Sequence, residues 1–266
     1  MLRIIPALAL MFWMLPGSGF AQTQEVTGLS FERVLLQGHS ALEISQGSET
    51  QLLFKEDGAP GQKLPFFLDG ETLVLGKQGN SAAYQFKLTV SELSHLQLRG
   101  SGQVYVRPLE VENIHISLDG SGHIRLFSLT AQDDITLRLH GSGDIQAAEL
   151  ICDDLELVLS GAGNIHLGRL TAEEVDIALK GSGTITAKDE GTVEKLEIHI
   201  VGSGDVSLEP VEADSVEVSI MGAGKASVSP MEELEVNIIG SAQVHYRGEP
   251  DIDQSVMGSG RLYHER

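Results

Sequence analysis

The chain has 266 residues, of which 38 are acidic and 18 are basic, so its formal net charge is −20. This charge makes nucleic acids and anionic lipid surfaces poor partners, because both are themselves polyanions. The single cysteine, Cys152, has no partner within the chain for a disulfide bond. Stability in an oxidising compartment must therefore come from packing and backbone pairing.

Residues 1–21 have the features of a secretory signal peptide. Arg3 is followed by an apolar run from Ile4 to Leu15 and by a small-residue exit that ends at Ala21. The run is shorter than the roughly 20 apolar residues of a membrane-spanning helix, and Pro6 interrupts it. We therefore expect cleavage after Ala21, export to the periplasm or outer surface of a bacterium, and no membrane insertion after cleavage.

Residues 22–90 have β-strand patterns but no regular repeat. Alternating apolar residues predict short strands around Val34 and around Leu42, and a turn signal at Asp69 precedes another strand at 72–75. We expect this part to form an irregular β cap and the first turns of the region that follows. No linker separates the two regions, so they are predicted to form one domain.

From residue 91 to residue 266 a Gly-Ser-Gly mark, or a close variant of it, recurs about every 20 residues. The first glycine of each copy is Gly100, Gly120, Gly141, Gly161, Gly181, Gly202, Gly222, Gly240 or Gly258. A fixed period in this range is typical of a solenoid protein. The residues two before and four after this glycine are apolar in every copy. This alternation predicts strands with one buried face.

A second apolar mark constrains the shape of one turn. It lies nine residues after the first glycine, as at Leu109 and Leu150, and its odd offset requires a corner between the two strands. About 20 residues at roughly 3.3 Å each give a perimeter of about 65 Å. The sequence therefore predicts an all-β, right-handed parallel β-helix, and leaves open whether each turn has two or three strands.

The glycine mark allows two explanations. Either its glycines supply a positive φ at a bend, or they face inward where the opposite wall leaves no room for a side chain. Two residues after the second apolar mark lies a column of small side chains that includes Cys152. This position predicts a buried packing residue rather than a reactive thiol, because apolar surroundings oppose ionisation of a thiol.

The order of these motifs resembles a family of bacterial envelope proteins described as "Putative auto-transporter adhesin, head GIN domain". The resemblance rests on Phe31-Glu32-Arg33-Val34, on Leu42-Glu43-Ile44-Ser45-Gln46-Gly47, on segment 91–102 and on the Gly-Ser-Gly series. It covers nearly all of the predicted mature chain. It implies a β-helical fold and an extracytoplasmic location, and it implies little chemistry.

An acidic column is the candidate metal site. Five residues before the first glycine stand Glu156, Asp176, Glu197, Glu217, Glu235 and Asp253. Carboxylates about 4.8 Å apart on neighbouring strands repel each other, and a hard cation such as calcium would relieve the repulsion by bridging them. The alternative is a row of solvated side chains without any cofactor. His95 and His115 also share a column, but two ligands are too few for a stable metal site.

A change from polar to apolar residues marks a candidate binding surface. One residue before the first glycine, at an outward position, the late turns carry Val201, Met221, Ile239 and Met257. Contiguous exposed apolar surface usually marks an interaction site. This apolar stripe is therefore predicted to bind a partner or a second copy of the chain, unless a local segment covers it.

Predicted export, a long β-helical face and the absence of catalytic motifs favour a non-enzymatic, adhesin-like binding protein of the envelope or cell surface. Its partner would be a glycan or an envelope protein. One alternative is a periplasmic structural scaffold that forms homo-oligomers. Another is a polysaccharide-active enzyme, since parallel β-helices host such activities, and Asp144 and Glu156 would be its first residues to test.

Overall fold

The computed structural model describes residues 23–56, 64–76 and 83–265, and in these ranges it contains strands, turns and bends but no helix. The described residues accordingly include no helix with the length and apolar character to cross a membrane. The predicted signal peptide at 1–21 lies outside the described residues.

Seven strands form the N-terminal part of the molecule. They are β1 (Thr23–Thr27), β2 (Arg33–Gly38), β3 (Ala41–Gln46), β4 (Gln51–Glu56), β5 (Phe66–Asp69), β6 (Thr72–Leu75) and β7 (Tyr84–Val90). Strand β4 is antiparallel to both β1 and β7, and β5 and β6 form an antiparallel hairpin. Strands β2 and β3 instead run parallel to β6 and β7.

Seventeen further strands build the repeat region. They are β8 (His95–Gly100), β9 (Gln103–Val106), β10 (Leu109–Val111), β11 (Ile114–Gly120), β12 (His123–Leu126), β13 (Leu129–Ala131), β14 (Asp134–Gly141), β15 (Asp144–Ile151), β16 (Asp154–Gly161), β17 (Asn164–Gly181), β18 (Thr184–Ala187), β19 (Gly191–Gly202), β20 (Asp205–Gly222), β21 (Lys225–Gly240), β22 (Gln243–Tyr246), β23 (Asp251–Gly258) and β24 (Arg261–His264). The pairings between these strands are parallel, which confirms the predicted parallel β-helix.

Each regular turn contributes to three parallel ladders, which answers the question that the sequence left open. Ladder A contains the strands that end at the first glycine of the mark, such as β8, β11 and β14. Ladder B contains the segments directly after the mark, such as β9 and β12. Ladder C contains the second apolar mark, through the pairs Leu109–Leu129 and Leu129–Leu150. In later turns the segments join into longer strands such as β17.

In chain order the stacked turns begin with β2 and β3, and β6 and β7 add a further parallel rung on their outer side. Strand β2 pairs with β8 so that Gly38 lies opposite Gly100, and β3 pairs with β9. Residues 38–40 are therefore an additional copy of the mark. This copy is not evident from the sequence, because His39 replaces the middle serine and Ser40 replaces the second glycine. The antiparallel strands β1 and β4 lie beyond this first turn, and the apolar residues there, such as Val26 and Phe54, are buried.

Both explanations of the Gly-Ser-Gly mark are correct, one for each glycine. Gly141 has a φ of +127°, which side chains of L-residues rarely adopt. Gly143 is buried, and a Cβ there would collide with the Gly122 carbonyl oxygen and the Leu118 side chain. The first glycine thus allows the chain to bend, and the second faces inward where no side chain fits.

Candidate binding surface

The apolar stripe is exposed and continuous. Its side chains are Val201 (47% exposed), Met221 (55%), Ile239 (50%) and Met257 (71%). In ladder A each of these residues lies directly opposite the next. At about 4.8 Å per rung the stripe is about 14 Å long. No described segment of the chain covers it.

The columns beside the stripe consist mostly of small side chains and contain no Asp, Glu, Lys or Arg. On one side lie the middle residues of the mark, Ser203, Ala223, Ser241 and Ser259, all of them exposed. On the other side lie Ser219, Asn237 and Ser255, together with His199. These two columns carry no carboxylate or ammonium group of their own, although Lys180 lies opposite Val201 at one end and the Glu235 carboxylate accepts a hydrogen bond from Asn237. Few charges would therefore have to be desolvated for a partner to dock on the stripe.

The last turn leaves normally buried positions accessible. Ile252 and Val256 occupy columns whose members in earlier turns are buried, yet they are 42% and 41% exposed. Their strand β23 pairs with β21, and β24 pairs with β22. The stripe therefore continues at Met257 into an exposed strand edge, which adds apolar surface and backbone hydrogen-bonding groups to the same end of the molecule.

The acidic column carries its own cations. The Lys195 ammonium lies 2.7 Å from a carboxylate oxygen of Glu174 and 2.6 Å from one of Glu197. Glu174, Asp176 and Glu197 have oxygens within 4.8 Å of one another. Hydrogen bonding from Lys195 lowers the pKa of Glu197, whereas burial and the neighbouring carboxylates raise the pKa of Asp176. Lys195 offsets one of these three carboxylate charges and contacts the oxygens of Glu174 and Glu197 that a bound cation would use, so calcium binding at the acidic column stays a prediction.

Asp144 and Glu156 lie in different ladders and have different partners. Asp144 is in ladder B, where its carboxylate lies 3.0 Å from the His123 ring. Glu156 is in ladder A, where it accepts hydrogen bonds from the Arg138 guanidinium. Each carboxylate is therefore engaged by a different basic side chain on a different ladder.

Cys152 is a packing residue, as the sequence predicted, and is 6% exposed. Burial, followed by the carboxylates of Asp154, Asp153 and Asp134, raises the pKa of its thiol to about 12. We expect iodoacetamide at about pH 8 to leave Cys152 unmodified in the native protein and to alkylate it fully after unfolding in urea, because only the thiolate reacts. Mass spectrometry measures the two yields, and rapid alkylation of the native protein would contradict the buried placement.

The ladder register also places Arg33 beside His95 and His115, which the sequence analysis did not connect. Arg33 lies opposite His95, and His95 lies opposite His115. After β2 the chain returns to ladder A first at β6, on the outer edge of β2, and then at β8 on the other edge, so no short-range spacing indicates this contact. One signal in the sequence could have indicated the contact between Arg33 and His95. Arg33 lies five residues before Gly38, as His95 lies five residues before Gly100.

The fold defines the chain as a parallel β-helix repeat protein, with an exposed apolar stripe on one of its ladders. The family model described as "Putative auto-transporter adhesin, head GIN domain" matches residues 30–188 and 130–250. The chain therefore belongs to this family, as the sequence motifs predicted. No curated protein matches the sequence significantly.

Solved structures share the fold. A "Putative lipid binding protein" from Parabacteroides distasonis ATCC 8503 is 25% identical with a TM-score of 0.67, and the match covers 94% of this chain and 98% of that one. A "putative adhesin" from Parabacteroides merdae ATCC 43184 is 19% identical with a TM-score of 0.69, at the same coverage. The second likeness concerns the fold alone.

Proposed function

We propose that the chain is an exported, non-enzymatic, adhesin-like protein of the bacterial envelope or cell surface, and that the apolar stripe is its binding surface for a glycan or an envelope protein. The single observation that carries this proposal is the continuous exposure of Val201, Met221, Ile239 and Met257 on adjacent rungs of ladder A. Membership of a family described as adhesins supports a role at the surface.

The energetics agree with a docking surface. The largest exposed apolar patch of a monomer is often functional, and patches rimmed by polar residues mark interaction sites. Burial contributes roughly 25 cal/mol for each Å² removed from water, before the costs of association. Methionine side chains adapt to differently shaped partners, and two of the four stripe residues are methionines.

The double variant Met221→Asp with Ile239→Asp tests the stripe. We expect beads coated with this variant to adhere at least about tenfold less than wild-type beads to intact bacterial cells or to glycan-coated surfaces, because a partner would have to desolvate two carboxylates. Bead counts by microscopy measure the adhesion. Both side chains point to solvent, so the circular dichroism spectrum should not change.

The control is Ser101→Asp with Ser121→Asp, which adds the same two charges at exposed positions on early turns. Equal adhesion of the stripe variant and this control would contradict the proposal.

Protease treatment of intact cells tests the location of the protein. We expect the protease to degrade a protein that lies on the cell surface. If the chain resists degradation until the outer membrane is breached, the result favours the periplasmic scaffold instead.

A lipid is the second candidate partner, because one structural relative is described as a lipid binding protein and the stripe is apolar. Its test is flotation of the purified chain with neutral phosphatidylcholine vesicles, since the charge of −20 opposes anionic ones. Flotation that the Met221→Asp and Ile239→Asp double variant abolishes would assign the stripe to lipid.

A further inference from the structure

Three cationic or ionisable side chains lie on consecutive rungs at the N-terminal end of ladder A. Arg33 pairs in register with His95, and His95 with His115. The two imidazole rings have centroids 5.7 Å apart and are tilted by 39°. They contrast with the later rungs of the same column, which carry the carboxylates from Glu156 onward.

These side chains line a cavity of about 400 Å³. Thr72, Gln97 and Ser117 add hydroxyl and amide groups to its wall, and β5 contributes Asp69. Ser117 is almost fully buried, at 8% exposure, so the wall is firmly packed there. The lining therefore combines the Arg33 guanidinium and two histidines with hydrogen-bonding groups, which can recognise an oxyanion, and with one carboxylate, Asp69, which opposes its binding.

Among the described residues, no carboxylate lies within 4.0 Å of Arg33, His95 or His115, although acidic residues outnumber basic ones twofold in this chain. On the same face Arg99 pairs with Asp119 and Arg138 pairs with Glu156. The Arg33 guanidinium and the two imidazole rings therefore have no ion-pair partner among the described residues, so they can pair with an anionic ligand.

A hydrogen-bond chain defines the tautomer of His95. The Ser94 hydroxyl donates to the Glu32 carbonyl oxygen at 3.1 Å, so its oxygen accepts the hydrogen bond from His95 Nδ1 at 3.0 Å. The Nδ1 atom therefore carries the proton of the neutral ring, and the second proton is added at Nε2. Protonation gives His95 a new donor as well as a positive charge.

The charged groups around the two rings set the direction of the pH dependence. Burial and then Arg33 lower the pKa of His95, against an opposing effect of Glu32. Burial, then Arg138 and His95, lower the pKa of His115, against an opposing effect of Glu156. Both rings are therefore mostly neutral at pH 7.5 and gain their charge below the ordinary histidine value of about 6.5.

We propose that Arg33, His95 and His115 form a binding site for a single small carboxylate, for which D-glucuronate is the probe, with an affinity that increases as the pH falls. The site takes one oxyanion and not a polyanion, because the charge of −20 opposes long charged chains and anionic membranes. This site is separate from the apolar stripe and does not depend on it.

The test is calorimetric titration of the purified chain with D-glucuronate at about pH 5.5 and about pH 7.5, with D-glucose and inorganic phosphate as comparison probes. We expect glucuronate to bind at least about tenfold more tightly at the lower pH and glucose not to bind. The histidine Cε1 proton resonances should report pKa values of His95 and His115 that rise when glucuronate is present, since binding favours the protonated rings.

Variants separate the three roles. Arg33→Gln should weaken glucuronate binding at both pH values, whereas His95→Gln with His115→Gln should remove the pH dependence. The control is His140→Gln, an exposed ladder A histidine that does not line the cavity. Binding that is independent of pH, that phosphate alone shows, or that His140→Gln weakens equally would overturn the proposal, as would no binding at about pH 5.5. None of these results depends on adhesion by the stripe.

Discussion

Replacing Gly141 by alanine is expected to destabilise the protein by roughly 3 kcal/mol or more, the range of backbone strain combined with a steric clash. Gly141 has a φ of +127°, and a Cβ there would collide with the carbonyl oxygen of Gly120 on the preceding turn. The atoms that this Cβ would meet all belong to the backbone of Gly120, so no flexible side chain can move away to make room. Urea unfolding followed by circular dichroism measures the loss as a lower midpoint.

The matched control is Ser142→Ala, one residue further along the same mark. Ser142 is exposed, and alanine already stands at the equivalent positions 162 and 223. We expect a change below about 0.5 kcal/mol, as for other exposed substitutions. If Gly141→Ala unfolds at the same urea concentration as Ser142→Ala, the bend does not require glycine.

Leu157→Ala is expected to cost about 3 kcal/mol, within the range measured for leucine truncation in protein cores. Leu157 is fully buried and lies in register between Leu137 and Ile177, so truncation opens a cavity that the stacked turns cannot close. Loss of packing between neighbouring turns affects a solenoid strongly, because each turn is stabilised mainly by its neighbours. The same urea titration measures it.

Val158→Ala on the same strand is the control. Its side chain points outward and is half-buried, so truncation removes less buried apolar surface and leaves no enclosed cavity. We expect a loss below about 1 kcal/mol. Equal losses for Leu157→Ala and Val158→Ala would mean that the strand faces are assigned incorrectly, since a slip of one residue exchanges the two faces.

Much of the fold was predictable because its signals are local and repeated. The alternation around each glycine correctly assigns Leu157 to the core and Met221 to the surface. The even offset of the second glycine correctly places Gly143 inside. These inferences need only the period of a strand and the recurrence of the mark.

The candidate sites were less predictable, because they depend on contacts between side chains. The acidic column was visible in the sequence, but the position of Lys195 between Glu174 and Glu197 was not. The stripe was predicted as a row of outward residues, and only the structure shows that no described segment covers it. The binding roles of both remain predictions.

The sequence by itself determined the architecture, since a 20-residue period of alternating residues can bury its apolar face only by stacking in register. The tertiary structure alone decided that each turn has three ladders, that the stacked turns begin at β2, and that Arg33 lies beside His95. The physical reason is distance along the chain. Strand parity is a property of neighbouring residues, whereas register between distant strands depends on the path of the intervening chain.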